Sequence, residues 1–295
     1  MRSYVFYIVD VFAEEKYAGN QLAVFPEAGD IAEAKMQRFA KEMNFSETTF
    51  ILSEKARNGG YDVRIFTPAE EVPFAGHPTL GTAFIIQHEI IRMPVEKVVL
   101  NLKAGRIPVT FSYRQGQADE LRMKQRPPVF GRTFEIKTVS QSLNVKPGDI
   151  DERFPIQQVS TGLPFIIVPM KTREAVKRAR LNRDLFFELV KDSDAKCPLI
   201  FCPEPYAPEN DLNARMFGDY FDIREDPATG SANGCLAAYL VENRYYGEPR
   251  IKVRVEQGYE IGRPSLLLLE AEEKKGTIDV FVGGRVFLVA RGEFI

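Results

Sequence analysis

Glu47 lies in the run Asn44-Phe45-Ser46-Glu47-Thr48-Thr49-Phe50, among apolar residues and directly before a strand-like stretch. A carboxyl group in such surroundings is open to a raised pKa, which suits a side chain that takes a proton and gives it back. The plainer reading is a solvated surface glutamate. Two other stretches, Ala75-Gly76-His77-Pro78 and Ala228-Thr229-Gly230-Ser231, put small residues where a strand gives way to an apolar helix. The first N–H groups of a helix have no intrahelical partner and the helix dipole adds positive potential, so each turn can hold a carboxylate or phosphate. Against this stands the simpler reading of two capped helices, with Ser231 as N-cap. His77 can donate to an anion or shuttle a proton, or it can merely cap and pack. Asp226 precedes Pro227, which biases it to extended backbone, where a turn or cap is its simplest role. Neither turn matches the P-loop or the dinucleotide-binding glycine pattern, so nucleotide binding has no support.

The elements around these residues alternate between strand-like and helical. Strands are expected over 4–12, 22–25, 48–52, 61–66, 98–102, 106–113 and 120–123, from runs rich in Val, Ile, Phe and Tyr. Apolar residues at helical spacing predict a helix over 31–43, capped by Asp30, and a second over 78–91 with Pro78 in its first turn. Lys124-Gln125-Arg126-Pro127-Pro128 reads as the crossing between two domains, because paired prolines continue neither a helix nor a central strand. Beyond it, helices are expected at 136–143, 182–191 and 231–244. Strands are expected at 157–160, 165–169, 198–202, 213–217, 250–256, 265–270, 277–282 and 285–291.

The two halves look alike. Val63-Arg64-Ile65-Phe66, then Glu71, then Ala75-Gly76 with Gly81 is answered by Ala214-Arg215-Met216-Phe217, then Glu225, then Ala228-Thr229 with Gly234. The spacing between the copies is slightly over half the chain, the size of a duplicated domain and not of a solenoid repeat. If the halves face each other, a small carboxylated molecule could sit in the cleft between them.

Composition narrows the classes. The 39 Lys and Arg against 41 Asp and Glu leave no basic excess for a nucleic-acid binder. Cys197, Cys202 and Cys235 form no C-x-x-C pair and leave one over, which argues against a disulfide framework and for a reducing, cytoplasmic setting. The chain has two histidines, His77 and His88, so a metal site would have to lean on carboxylates and none is expected. No stretch approaches the roughly 20 apolar residues of a membrane span.

The blocks N-F-S-E-T-T-F (44–50), P-F-A-G-H-P-T-L-G (73–81) and E-D-P-A-T-G-S-A (225–232) resemble the signature blocks of the phenazine-biosynthesis PhzF-like isomerase family. Gly19-Asn20 with Leu22-Ala23-Val24-Phe25 is similar to its opening block, and Gly283-Gly284-Arg285-Val286 with Arg291-Gly292-Glu293 to its closing one. The resemblance implies an α+β, diaminopimelate-epimerase-like fold: two pseudo-symmetric halves, each a curved mixed sheet round a central helix, with the active site between them. It would divide the chain into 1–125, completed by about 286–295, and 126–285. It implies a cofactor-independent isomerase acting on a small carboxylate resembling dihydro-hydroxyanthranilate, and a homodimer. Glu47 would be the acid/base, His77 and Asp226 would bind and orient the substrate, and Gly76, Gly230 and Ser231 would hold its anionic group. Diaminopimelate epimerase carries its two catalytic thiols where this chain has Ala75 and Ala228, so two-thiol chemistry is not expected. The same proton transfer on an unrelated metabolite, and a non-catalytic small-acid-binding protein, are the alternatives.

Overall fold

The computed structural model describes residues 3–221 and 223–295. The chain divides into two compact units, Met1–Lys124 with Gly283–Ile295, and Gln125–Val282. In chain order the first run holds β1 (Tyr4–Val11), β2 (Asn20–Phe25), α1 (Glu33–Met43), β3 (Thr48–Ile51), β4 (Tyr61–Phe66), β5 (Glu71–Val72), α2 (Gly76–Ile85), β6 (Lys97–Leu102), β7 (Gly105–Arg114) and β8 (Gln117–Lys124). Next come β9 (Val129–Phe134), α3 (Ile136–Ser142), β10 (Ile156–Ser160), β11 (Pro164–Pro169), α4 (Arg173–Arg178), α5 (Arg183–Val190), β12 (Pro198–Cys202) and β13 (Leu212–Gly218). The chain closes with β14 (Ile223–Asp226), α6 (Gly230–Glu242), β15 (Arg250–Gln257), β16 (Ser265–Lys274), β17 (Thr277–Gly284) and β18 (Val286–Phe294).

In the first unit β18 pairs antiparallel with β1, β1 with β2, β2 parallel with β3, and β3 antiparallel with β4. β4 also runs parallel to β6, which starts an antiparallel meander through β7 and β8. This mixed sheet packs round α2, whose ten residues Gly76–Ile85 are all buried. A helix without a polar face has no reason to meet water, so the sequence itself sends it to the centre. Gly81 lets it sit there, because a Cβ would come within 2.6 Å of Leu22 and 2.9 Å of Val11. On the other face α1 covers a core of Phe25, Met36, Phe50 and Phe66, in which Phe25 stacks on Phe50 at 4.9 Å.

The second unit repeats the scheme. β10 pairs antiparallel with β11, β11 parallel with β12, β12 antiparallel with β13, and β13 parallel with β15. The central helix is α6, buried from Gly230 to Val241 and packed on β10, β11, β15 and β16. Helices α3, α4 and α5 close the outer face over Val139, Leu143, Val176, Phe186 and Val190. The ladders carry the duplication residue by residue. Arg64 of β4 stands opposite Phe50 of β3, and Arg215 of β13 stands opposite Ile200 of β12.

Several local expectations are corrected. Helix α1 begins at Glu33 with Ala32 in the N-cap position, so Asp30 does not cap it. The helix expected over 78–91 starts at Gly76 and ends as α-helix at Ile85, where it widens into a π-helical turn over Ile86–Ile91 that ends at a left-handed Arg92. The N-cap of α6 is Thr229, and Ser231 is its second residue, which overturns Ser231 as N-cap. Strands β5, β9 and β14 and helix α4 were not expected from the sequence pattern. They are short or irregular, and three are held by partners distant in sequence: β9 by β10, β14 by β13, and the end of α4 by Arg215, which donates to the carbonyls of Val176 and Ala179 at 2.8 and 3.1 Å.

Candidate active site

Glu47 is delivered to the start of β3 by the end of α1. Asn44 closes that helix in the left-handed conformation, with φ of 54° and its N–H on the Ala40 carbonyl, and three residues later the chain reaches Glu47. Asn is among the few residues that adopt this turn readily. His77 is the second residue of α2. Ala75 is extended (φ −148°, ψ 146°), and Pro78 falls within the first turn, where its missing N–H costs nothing. The two elements are tied by a hydrogen bond between the hydroxyls of Thr49 and Thr82 at 2.8 Å.

This brings Glu47 and His77 together, with Nε2 of His77 3.5 Å from Oε2 of Glu47. The imidazole is 5% exposed, and burial pushes its pKa down to about 3 against an opposing hydrogen bond to the Gln21 backbone. A bond that favours the protonated ring is one in which the carbonyl accepts. Nε2 has no hydrogen-bond partner, so Nδ1 is the donor and Nε2 keeps its lone pair toward Glu47. His77 is therefore neutral at ordinary pH, with Nε2 toward Glu47. The turn itself is held by Arg64, which grips Glu71 with two bonds of 2.8 and 2.5 Å, and by the Ala104 N–H on the Pro73 carbonyl at 3.1 Å.

In the second unit the same device carries different side chains. Arg215 grips Glu225 with bonds of 2.8 and 2.7 Å, and Asp226 follows as the last residue of β14, buried to 6% exposure. Oδ2 of Asp226 accepts from the Thr229 hydroxyl at 2.5 Å. Gly230 and Ser231 are the first two residues of α6, so their N–H groups are among those that lack an intrahelical partner. The Ser231 hydroxyl has no protein partner among the described residues. Asp226, Gly230 and Ser231 thus gather at one helix start, as Glu47, Gly76 and His77 gather at another. Pattern reading missed the amide of Gln257, which reaches this turn from β15; no local signal marks it, because only the parallel pairing of β13 with β15 brings it there.

Ala75 and Ala228 hold the positions before the two helices, and Cys235 is buried one turn inside α6. Burial pushes Cys197, Cys202 and Cys235 each up to about 12, so none is a thiolate at neutral pH. Among the described residues no group of three or more His, Cys, Asp or Glu is placed to hold a metal ion, and no helix is long and apolar enough to cross a membrane. An open cavity of about 450 Å³, lined by Asp211, Tyr246, Glu248, Arg250 and Lys252, adjoins the far end of α6 from Asp226 and holds none of these candidate groups.

In each of the two units a mixed α+β sheet packs round a buried helix, and the first unit sets the Glu47 carboxyl beside the His77 imidazole, the arrangement of an α+β fold shared by isomerases. The family profile described as phenazine biosynthesis-like protein (PhzC-PhzF) matches residues 9–292, and the chain belongs to that family and is an isomerase. It is 32% identical to trans-2,3-dihydro-3-hydroxyanthranilate isomerase of Pseudomonas aeruginosa, covering 99% of both chains. It is 30% identical to an uncharacterized isomerase of Clostridium acetobutylicum, over 100% of this chain and 99% of the other. Its fold matches a crystal structure of the Bacillus anthracis phenazine biosynthesis protein of the PhzF family with a TM-score of 0.91, at 25% identity and full coverage of both chains. A proline racemase from Agrobacterium radiobacter shares the fold at a TM-score of 0.64 and 11% identity, over 99% of this chain and 93% of the other.

Proposed function

We propose that Glu47 moves a proton between two carbons of a small unsaturated carboxylic acid of the dihydro-hydroxyanthranilate type. In its ionised form Glu47 takes the proton from one carbon, and the electron pair left behind shifts through the adjacent double bond. The acid form then returns the proton at the far carbon, so atoms and charge balance and no other reactant is consumed. The observation that carries this reading is Nε2 of His77, buried and neutral, 3.5 Å from Oε2 of Glu47. A neutral acceptor there steadies the acid form. His77 also orients the substrate, and Asp226, with the N–H groups of Gly230 and Ser231, binds its polar and anionic groups. Gly76 does the same at the start of α2.

The similarity to the Pseudomonas enzyme supports dihydro-hydroxyanthranilate as the substrate class, whereas the Clostridium relative leaves room for the same transfer on another small acid. The test is turnover of trans-2,3-dihydro-3-hydroxyanthranilate followed by NMR. Conversion that disappears in Glu47→Gln supports the reading. Lack of conversion by the wild type moves the assignment to another acid, and conversion by Glu47→Gln at the wild-type rate sinks the role of Glu47. The family resemblance also supports a homodimer, which light scattering would read as twice the 33.5 kDa chain mass.

A further inference from the structure

Gln257, the last residue of β15, is fully buried, and its side-chain amide uses every hydrogen-bonding capacity it has on one turn. Its Oε1 accepts from the Thr229 N–H at 3.2 Å and from Nδ2 of Asn233 at 2.8 Å. Its Nε2 donates to the Asp226 carbonyl at 2.8 Å and to the Thr229 hydroxyl at 3.1 Å. Asn233, itself fully buried one turn into α6, also donates to the Thr229 carbonyl at 3.1 Å, which ties the amide to the helix. The orientation of the amide is forced: turned over, it would set an oxygen against the Asp226 carbonyl and an NH₂ against the Thr229 N–H.

That orientation has a directional consequence. Nε2 of Gln257 can only donate, so the Thr229 oxygen must accept from it, and the Thr229 proton is left to point at Oδ2 of Asp226, 2.5 Å away. The relay runs one way, from amide to hydroxyl to carboxylate, and it fixes one oxygen of Asp226 as an acceptor in one rotamer. The close approach that allows it depends on Gly258, which has φ of +80° and whose Cβ would lie 2.6 Å from the Pro227 carbonyl oxygen. In the first unit the matching carbonyl, that of Pro73, accepts instead from the backbone N–H of Ala104 at 3.1 Å.

We infer that Gln257 is a positioning residue of the isomerase: through Thr229 it sets the orientation of Asp226 at the start of α6. The inference rests on the proposed role of Asp226 in substrate binding, and two kinds of measurement separate them. The first needs no substrate. In a crystal structure of Gln257→Leu the contact between Asp226 and Thr229 opens beyond ~3.5 Å while α6 keeps its place; a contact retained at its present length overturns the inference. Should Gln257→Leu fail to fold, Gln257→Met keeps a similar unbranched shape and volume without the amide donor, and the same opening is expected.

The second measurement is kcat/KM on trans-2,3-dihydro-3-hydroxyanthranilate. Gln257→Leu and Thr229→Val each lower it at least tenfold, and Thr229→Ser, which keeps the hydroxyl, restores it to within twofold of wild type. In an Asp226→Asn background Gln257→Leu adds less than a twofold further loss, whereas a packing role would add its full loss again. Independent, multiplicative losses therefore overturn the inference even if the protein folds. If Asp226→Asn leaves kcat/KM unchanged while the Gln257→Leu structure shows the opened contact, the substrate-binding role of Asp226 fails and the positioning of its side chain stands.

Discussion

The two units build one device twice and fill it differently. In each, an arginine on a strand grips a glutamate on the returning strand, Arg64 on Glu71 and Arg215 on Glu225, and the chain then turns into a buried helix at Gly76 or Gly230. The side chains at equivalent places diverge. Three residues before Phe50, which faces Arg64, stands Glu47; three residues before Ile200, which faces Arg215, stands Cys197. His77 enters the first helix where the second has Gly230. The second turn instead carries Asp226, Thr229 and a borrowed amide from Gln257. The ion pair and the glycines recur in both units, and on the roles proposed for these residues one unit holds the proton-transfer pair and the other the anchoring groups.

The largest effect should break this asymmetry at its chemical end. Glu47→Gln is expected to lower kcat by about 10²–10⁴ with no loss of thermal stability. Asp226→Asn should act mainly on KM, and equal losses of kcat in both variants would mean that the two units do not divide the work as described.

Next come the arginines. Arg215 is 4% exposed at its side chain and its loss strands a buried Glu225, so Arg215→Ala should cost about 3–5 kcal/mol in denaturant unfolding. Arg64 is 21% exposed, and Lys103 remains beside Glu71 at 2.5 Å, so Arg64→Ala should cost distinctly less. Equal costs would remove the physical distinction between the two grips.

The paired glycines sharpen the comparison further. Gly81→Ala drives a methyl to 2.6 Å from Leu22 and 2.9 Å from Val11, and overpacking of this kind costs about 1–3 kcal/mol. Gly234→Ala meets Gln125 and the Thr161 hydroxyl no closer than 3.1 Å, and helix propensity returns about 1 kcal/mol, so its cost should be smaller than that of Gly81→Ala.

The two units differ also in the pH dependence of their stability. His77 has a pKa near 3 in the folded protein, below its ordinary value of 6.5, so the unfolded chain binds more protons between those limits. Stability from this residue is therefore complete above pH 6.5 and is lost as pH falls toward 3. A His77→Gln variant should melt with a shallower decline over pH 6.5 to 4 than the wild type. The kcat/KM profile should show no step near pH 6.5 from this histidine.

Much of this was legible in the sequence because it is local. The two central helices, expected over 78–91 and 231–244 and found over 76–85 and 230–242, the Arg-apolar-Phe strands and the glycines at 81 and 234 are visible as patterns, and Glu47 stands out as a carboxylate in an apolar run. What was hidden is what depends on partners remote in the chain. The N-cap of α6 is Thr229, whose own N–H is held by the Gln257 amide from β15, a partner no local pattern shows. Helix α4 carries too few residues to show a period, and its carbonyls are held by Arg215 from another element. The neutrality of His77 follows from burial that outweighs its hydrogen bond to the backbone of Gln21 in β2, and no motif announces that burial.

The central claim is that one carboxyl group carries the proton. The direct measurement is to incubate Glu47→Gln with trans-2,3-dihydro-3-hydroxyanthranilate in heavy water and follow carbon-bound deuterium and isomerised product by NMR, with binding checked by calorimetry. The account predicts that the acid still binds and that neither exchange nor product forms above background. Exchange or isomerisation at the wild-type rate would contradict it.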